Sequence, residues 1–116
     1  MHLIIGGAYQ GKLTWAKTTY NIAEHETLDL TQNDPIPGYR CYIHLEALTR
    51  RDEHPERWLP VLESAIVLAR EIGGGIVPLD PAERAWRERH GAMLQTLAAR
   101  AERVTRVLCG LTEELK

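Results

Sequence analysis

No run of apolar residues in this sequence approaches the roughly 18 that a helix needs to cross a membrane. The first residues, MHLIIGGAYQGK, contain neither a basic leader nor a small-residue cleavage site, so we expect no secretory signal. An excess of positive charge is also lacking, because 14 basic side chains stand against 16 acidic ones. These absences argue against membrane-spanning, secreted and nucleic-acid-binding proteins and predict a cytoplasmic location.

Cysteine is scarce, and the two cysteines do not form a metal-binding pattern. Cys41 and Cys109 lie far apart in the sequence, each inside an apolar run. Such a pair is typical of buried thiols in a reducing cytoplasm rather than of a disulfide or a metal site. We therefore predict that both cysteines are free and buried.

What the sequence does contain is typical of one small globular domain. Its 116 residues are too few for two independently folding domains, so residues 1–116 are predicted to form a single domain. Hydrophobic residues make up 44% and charged residues 26%, which argues against disordered and fibrous classes.

Short apolar runs alternate with segments of helical periodicity along the chain. The long last helix begins with Asp80 as N-cap and Pro81 at its first position. Strands that alternate with helices pair in parallel, so the predicted fold class is α/β, with a mostly parallel sheet flanked by helices. We predict strands at 3–5, 27–30, 41–45, 65–68 and 104–109, helices at 12–24, 55–62 and 81–103, and a loop at 31–38.

A glycine-rich segment follows the first predicted strand and opens the first predicted helix. It matches the GxxxxGK part of a phosphate-binding loop in the structural context that this motif requires. Glycines allow successive backbone N–H groups to face one anion, and Lys12 would neutralise the outer phosphates. The residues predicted to bind nucleotide are Gly6, Gly7, Ala8, Tyr9, Gln10, Gly11, Lys12, Leu13 and Thr14.

A structural interpretation of this segment stays open. Two glycines and a lysine occur at this spacing by chance in roughly a few per cent of chains of this length, and the segment would then be a turn. The motif also departs from its usual form, because the next position should carry a Ser or Thr that binds magnesium. Here that position is Leu13, and Thr14 follows one residue later.

Glu46 is predicted to lie at the carboxyl end of a buried strand, where open α/β sheets bind their ligands. It could bind magnesium directly or through water, or it could be a solvated glutamate at a strand end. His44 would project to the same side as Glu46 if the strand continues that far. We expect His44 to be packed or hydrogen-bonded.

Two further features each have a functional and a structural interpretation. The glycine-rich segment at 71–78 is either a second ligand-facing loop or a turn that needs positive φ. Arg84, Arg87 and Arg89 on the long helix alternate with glutamates, so they are expected to form its solvated face. Trp86, on the same helix, is expected to belong to the core.

Several segments together resemble one family. They are GGA at 6–8, GK at 11–12, LEA at 45–47, EIGGGIVP at 71–78, Arg84, WR at 86–87, Gly91, Gln95, LAARA at 97–101, Gly110 and LK at 115–116. These segments are similar to the motifs G-G-A-R-S-G-K-S, L-E-C, E-V-G-x-G-I-V-P, R-x-F-R-D and G-R-x-N-Q of the bifunctional adenosylcobinamide kinase/adenosylcobinamide-phosphate guanylyltransferase family of cobalamin biosynthesis. The similarity covers residues 1–16 and about 65–116 well and the middle of the chain poorly.

The resemblance implies a P-loop NTPase-like fold and phosphoryl transfer from ATP or GTP to a hydroxyl of adenosylcobinamide. Lys12 and Glu46 would be the catalytic residues, and Glu46 would assist Mg²⁺ or orient the acceptor. The implied partners are a purine nucleotide and adenosylcobinamide, and we expect a homo-oligomer because a sheet of this size has a limited core. Two alternatives are a non-catalytic nucleotide-binding homologue with a regulatory or scaffold role and a P-loop kinase for another small molecule.

The chain also departs from the family pattern. It lacks most of the segment that, in the family, carries the histidine that becomes guanylylated, and no motif surrounds His25 in the corresponding region. Leu13 replaces the magnesium-binding Ser, Ala92 and Leu94 replace the Arg and Asn of G-R-x-N-Q, and Arg70 stands where an Asn usually precedes the Glu. We therefore expect kinase activity at most and no stable guanylylated protein.

Overall fold

The computed structural model describes residues 1–72 and 79–116. Its strands are β1 (His2–Gly6), β2 (Thr27–Asp29), β3 (Cys41–Ile43), β4 (Ile66–Arg70), β5 (Arg103–Leu108) and β6 (Leu111–Glu114). Its helices are α1 (Lys12–Tyr20), α2 (Leu45–Arg51), α3 (Leu59–Leu62) and α4 (Pro81–Arg100), with short 3₁₀ helices at Glu24–Glu26 and Pro55–Trp58.

These strands form one sheet in the order β2-β3-β4-β1-β5-β6. The first five strands are parallel, and β6 pairs with β5 in the antiparallel direction. The predicted α/β class, a mostly parallel sheet flanked by helices, is confirmed. Among the described helices, none has the length and apolar character that a membrane span requires.

Helices cover both faces of the sheet. Successive side chains of a strand point in opposite directions, so each strand contributes to the core on both faces. Leu3 of β1 and Val67 of β4 pack into a cluster that also contains side chains of α2, α3 and α4. Their neighbours Ile4 and Leu68 pack into a second cluster on the other face, where α1 lies. Such a sheet, buried on both faces, is typical of parallel α/β architecture.

The topology opens a crevice at the carboxyl edge of the central strands. β1 lies between β4 and β5, although β4 and β5 come much later in the chain. The chain leaves β1 toward α1 on one face, whereas the chain that leaves β4 leads to α4 on the other face. Open α/β sheets bind ligands where neighbouring connections diverge in this way.

Several predicted boundaries are wrong, and backbone conformation explains two of them. The strand predicted at 41–45 ends at Ile43, because His44 takes a left-handed conformation with φ 63° and begins the turn into α2. Glu46 therefore lies in the first turn of a helix rather than at a strand end. The helix predicted at 12–24 ends at Tyr20, where Asn21 is also left-handed with φ 52°. The long helix, predicted to reach residue 103, ends at Arg100.

Both cysteines are free, as predicted, but only one of them is buried. Cys41 lies in β3, and burial raises the pKa of its thiol to about 12. Cys109 is exposed, which corrects the prediction, because it lies in the turn between β5 and β6 with φ 51°. Strand β6 itself was not predicted.

His2 connects three elements in the interior. Its Nδ1 is hydrogen-bonded to the Tyr20 hydroxyl, and its Nε2 lies 2.6 Å from Thr105 Oγ1. The Thr105 hydroxyl donates to Glu114 at 2.8 Å, so Thr105 can accept a hydrogen bond from His2 Nε2–H. Burial, followed by the nearby Arg103 charge, lowers the pKa of His2 to about 4. The imidazole is therefore neutral in this network.

Candidate functional site

A cleft of about 370 Å³ opens at the carboxyl edge of the sheet. Its lining comes from the loop after β1, the first turn of α1, and the ends of β3 and β4. The lining residues are Ala8, Tyr9, Gln10, Gly11, Lys12, Leu13, Thr14, Ile43, His44, Glu46, Leu68 and Arg70. The structure thus brings the 8–14 part of the predicted phosphate-binding loop into one cleft with Glu46.

The backbone of the loop requires glycine at two positions. A Cβ on Gly6 would lie 2.4 Å from the carbonyl oxygen of Val107, so no side chain fits at the end of β1. Gly11 has φ 93°, a conformation that residues with a side chain rarely adopt, and it immediately precedes α1. The first turn of α1 lines the cleft, and the first N–H groups of a helix have no partner within the helix, so they are available to bind an anion there.

Lys12 folds back onto the loop that precedes it. Its Nζ donates to the carbonyl oxygen of Gly7 at 2.6 Å and to that of Gly6 at 3.3 Å. Burial lowers the pKa of Lys12, the Glu46 carboxylate opposes this effect, and Arg70 adds to it. The ammonium group is therefore held inside the cleft by neutral carbonyl groups, within reach of an anion bound to the loop.

Glu46 reaches the same cleft from α2. Its Oε1 accepts a hydrogen bond from the backbone N–H of Arg70 at 2.8 Å, while its Oε2 accepts none from the described residues. Mg²⁺ in phosphoryl-transfer sites is usually held by one or two carboxylates together with substrate phosphates. Within residues 1–72 and 79–116, no group of three or more His, Cys, Asp or Glu side chains could hold a metal. Glu46 fits the single-carboxylate pattern, and Leu13 supplies no hydroxyl.

His44 lies at the rim of the cleft and is hydrogen-bonded, as expected. Its Nδ1 is 2.9 Å from Oδ1 of Asp29, the last residue of β2. The side chain is 51% exposed, so it is not packed along a strand. Burial raises the pKa of Asp29, but hydrogen bonds from Thr31 and His44 outweigh this effect and leave that pKa below its usual value.

A chain of hydrogen bonds from Thr49 through His90 and Arg70 leads to Glu46. Thr49 Oγ1 lies 2.7 Å from His90 Nδ1, and His90 Nε2 lies 2.8 Å from the carbonyl oxygen of Arg70. The backbone N–H of Arg70 then donates to Glu46, whose own carbonyl oxygen lies 3.1 Å from Thr49 Oγ1. His90 is fully buried, and burial lowers its pKa. A neutral His90 therefore donates through Nε2, accepts through Nδ1 and links α4 to α2 and β4.

The structure corrects the interpretation of two other α4 residues. Trp86 is half-buried rather than part of the core, and its Nε1 donates to the carbonyl oxygen of Glu46 and to Thr49 Oγ1, each at 3.2 Å. Arg89 is not on a solvated face, because its Nε donates to the carbonyl oxygen of Thr49 at 2.7 Å. Arg84 is exposed, as predicted.

Replacing His90 with leucine should lower the free energy of unfolding by about 1–3 kcal/mol, because it removes the hydrogen bonds of a fully buried side chain to Thr49 and to the carbonyl oxygen of Arg70. Urea denaturation measures this change. His90→Gln is the matched control, since its amide can still donate to that oxygen and should recover part of the loss. Equal losses in the two variants would contradict the importance of this hydrogen bond.

The second glycine-rich segment is described only at its start. Residues 73–78 lie outside the described residues, so neither interpretation of that segment is decided. The backbone N–H of Glu71 donates to the carbonyl oxygen of Gly6 at 2.9 Å, and the Glu71 carboxylate pairs with Arg106 at 3.2 Å. The chain that leaves β4 therefore contacts the end of β1, where the predicted phosphate-binding loop begins.

The chain matches the model of a known protein family. A family model described as cobinamide kinase / cobinamide phosphate guanyltransferase matches residues 44–115. No curated protein matches the chain. The matched segment includes His44, Glu46, Arg70 and His90, and it begins after the loop at 6–14.

Proposed function

The chain belongs to the cobinamide kinase / cobinamide phosphate guanyltransferase family, and from this premise we propose that it transfers a phosphoryl group from ATP or GTP to a hydroxyl of a cobinamide. The nucleotide would occupy the cleft at the carboxyl edge of the sheet. The cobinamide would approach from the open side of that cleft.

The observation that supports this proposal best is the position of Lys12. Lys12 follows a strand and a glycine loop and is the first residue of α1, and its ammonium group lies against the carbonyl oxygens of Gly6 and Gly7. The family match does not include this loop, so the loop geometry is independent support. A cation, helix N–H groups and a carboxylate in one cleft are the groups that a nucleoside triphosphate requires.

Phosphoryl transfer depends mainly on positioning and on neutralisation of charge. The N–H groups of the loop would position the phosphates, and Lys12 would neutralise their outer oxygens. Glu46 would hold Mg²⁺ through its Oε2 or orient the acceptor hydroxyl, and its Oε1 stays fixed by Arg70. When bound, Mg²⁺ would supply additional neutralisation of the phosphates.

We propose that the guanylyl-transfer reaction is absent. His2 and His90 are buried, and both nitrogens of each ring have hydrogen-bond partners. His25 and His54 are exposed and do not line the cleft. His44 lines the cleft, with its Nδ1 engaged by Asp29, but it lies next to LEA at 45–47, outside the region that carries the guanylylated histidine in the family. A covalent intermediate needs a histidine aligned with the α-phosphate of GTP.

Two incubations test both statements. With γ-labelled ATP or GTP, Mg²⁺ and cobinamide, we expect labelled cobinamide phosphate. With α-labelled GTP and Mg²⁺, a denaturing gel and an intact-mass measurement should show no protein-bound GMP.

Three results would contradict these expectations in different ways. An acid-labile GMP adduct that disappears in one His→Ala variant would show that guanylyl transfer persists. Nucleotide binding without turnover would favour the non-catalytic homologue. Turnover with an unrelated alcohol, but not with cobinamide, would favour a kinase for another small molecule.

A further inference from the structure

His44 and Asp29 form a carboxylate–imidazole pair at the edge of the cleft. Each residue sits at the carboxyl end of one of two neighbouring parallel strands, since Asp29 ends β2 and His44 follows β3. The backbone N–H of Leu30 donates to the carbonyl oxygen of Ile43 at 2.9 Å and extends the strand pairing to this point. The sheet therefore fixes the two side chains relative to each other.

The Asp29 carboxylate determines how the imidazole is oriented. It accepts the backbone N–H of Thr31 at 2.9 Å, and the same oxygen lies 2.9 Å from Nδ1 of His44. A carboxylate accepts hydrogen bonds, so Nδ1 of His44 carries the proton. The neutral ring then has its free electron pair on Nε2, and Nε2 has no hydrogen-bond partner among the described residues.

The backbone at His44 is also held in an uncommon state. Its φ of 63° places it in the left-handed region. Residues other than glycine adopt this conformation at an energetic cost, and such residues cluster at functional sites. This conformation ends β3, begins α2 and leaves the imidazole among the residues that line the cleft.

We propose that His44 is the general base of the phosphoryl transfer and that Asp29 positions it; this proposal rests on the proposed kinase function. The acceptor hydroxyl transfers its proton to Nε2 of His44 as its oxygen forms a bond to the γ-phosphorus. The bond between that phosphorus and the β–γ bridging oxygen breaks, and its electron pair leaves with the nucleoside diphosphate. His44 then releases the proton to water.

The pH dependence of such a step is influenced by every ionisable group around the cleft. Asp29 contributes from β2, and the other groups reach the cleft from the elements packed beside it. They are Tyr9 of the loop, Lys12 of α1, Glu46 of α2 and Arg70 of β4. Variants must therefore separate the contribution of His44 from theirs.

His44→Asn is the decisive variant. Asparagine tolerates the left-handed conformation and its amide can still donate to Asp29, but it cannot accept a proton. We expect kcat for cobinamide phosphorylation to fall about 100-fold or more. The KM for nucleotide should stay within about twofold of wild type, because the fall in kcat comes from a lost proton acceptor.

Two other variants complete the test. Asp29→Asn should lower kcat less than His44→Asn, since the imidazole remains but is no longer held with its proton on Nδ1. His54→Gln is the matched control, because His54 is exposed and pairs with Glu56 outside the cleft. Its activity should equal that of the wild type.

The outcomes separate this inference from the proposed function. If wild-type protein phosphorylates cobinamide and His44→Asn does so equally fast, the role of His44 is wrong and the kinase function stands. If wild-type protein binds nucleotide but forms no product, both are wrong. Calorimetric binding of a non-hydrolysable nucleotide to His44→Asn establishes that the variant is folded.

Discussion

Replacing Lys12 with alanine should weaken the binding of ATP or GTP by about 10- to 100-fold. A hydrogen bond to a charged group contributes roughly 1.5–3 kcal/mol, and each 1.4 kcal/mol corresponds to a factor of about ten. Lys12 is the cation that the loop holds beside its own carbonyl oxygens, so its removal leaves the outer phosphates without this partner. Isothermal titration calorimetry measures the change.

Lys17→Ala is the matched control for this measurement. Lys17 lies on the same helix, pairs with Glu24 at 2.7 Å and does not line the cleft. Its replacement removes the same charge from α1 and should leave nucleotide affinity within about twofold, since an exposed ion pair contributes little. Equal affinities of Lys12→Ala and wild type would exclude the loop as the phosphate-binding site.

The second large effect is expected at Gly6, where alanine should lower the free energy of unfolding by about 3 kcal/mol. The added Cβ would lie 2.4 Å from the carbonyl oxygen of Val107. That oxygen belongs to the backbone of β5, which neighbours β1 in the sheet, so it cannot move without disturbing strand pairing. Urea denaturation should show the loss, and nucleotide binding should weaken with it because Gly6 begins the loop.

Gly91→Ala provides the opposite case in the same chain. Gly91 lies inside α4, and among the described residues no heavy atom outside its own helix lies within 4 Å of a Cβ built there. Alanine should therefore stabilise the protein by about 0.5–1 kcal/mol, because it favours the helix and restricts the unfolded chain.

If Gly6→Ala were as stable as wild type, the close approach of β1 to β5 would be wrong.

The α/β class could be predicted from the sequence because strands buried on both faces contain continuous apolar runs. The runs at 3–5 and 65–68 lie in β1 and β4, the central strands of the sheet. The strand–loop–helix order around Lys12 was equally visible, since glycines interrupt the apolar pattern there. The periodicity of apolar residues and the positions of glycines are local properties, so they can be read from a single sequence without knowledge of distant contacts.

Features that depend on distant contacts could not be predicted in this way. Strand β6 is exposed along its whole length, so it has no apolar alternation, and only its pairing with β5 defines it. The left-handed turn at His44 occurs without glycine, so nothing in the sequence indicated that α2 begins there and that Glu46 lies in its first turn. The burial of His90 could have been predicted, because this polar residue lies at helical spacing on the same face of α4 as the apolar residues Met93 and Leu97.

The helix that follows the proposed phosphate-binding loop is weakly anchored. Of the nine residues of α1, Ala16 alone is fully buried, while Leu13, Trp15 and Tyr20 pack only partly against the sheet. A helix shorter than about 12 residues is marginal without tertiary support, so α1 belongs to the part of the fold that opens most readily by local unfolding. A ligand that binds the N–H groups at its first turn suppresses this opening. Nucleotide binding at the proposed site would thus control how often the face of the sheet beneath α1 meets solvent, and we expect amide protection along α1 to follow ligand occupancy.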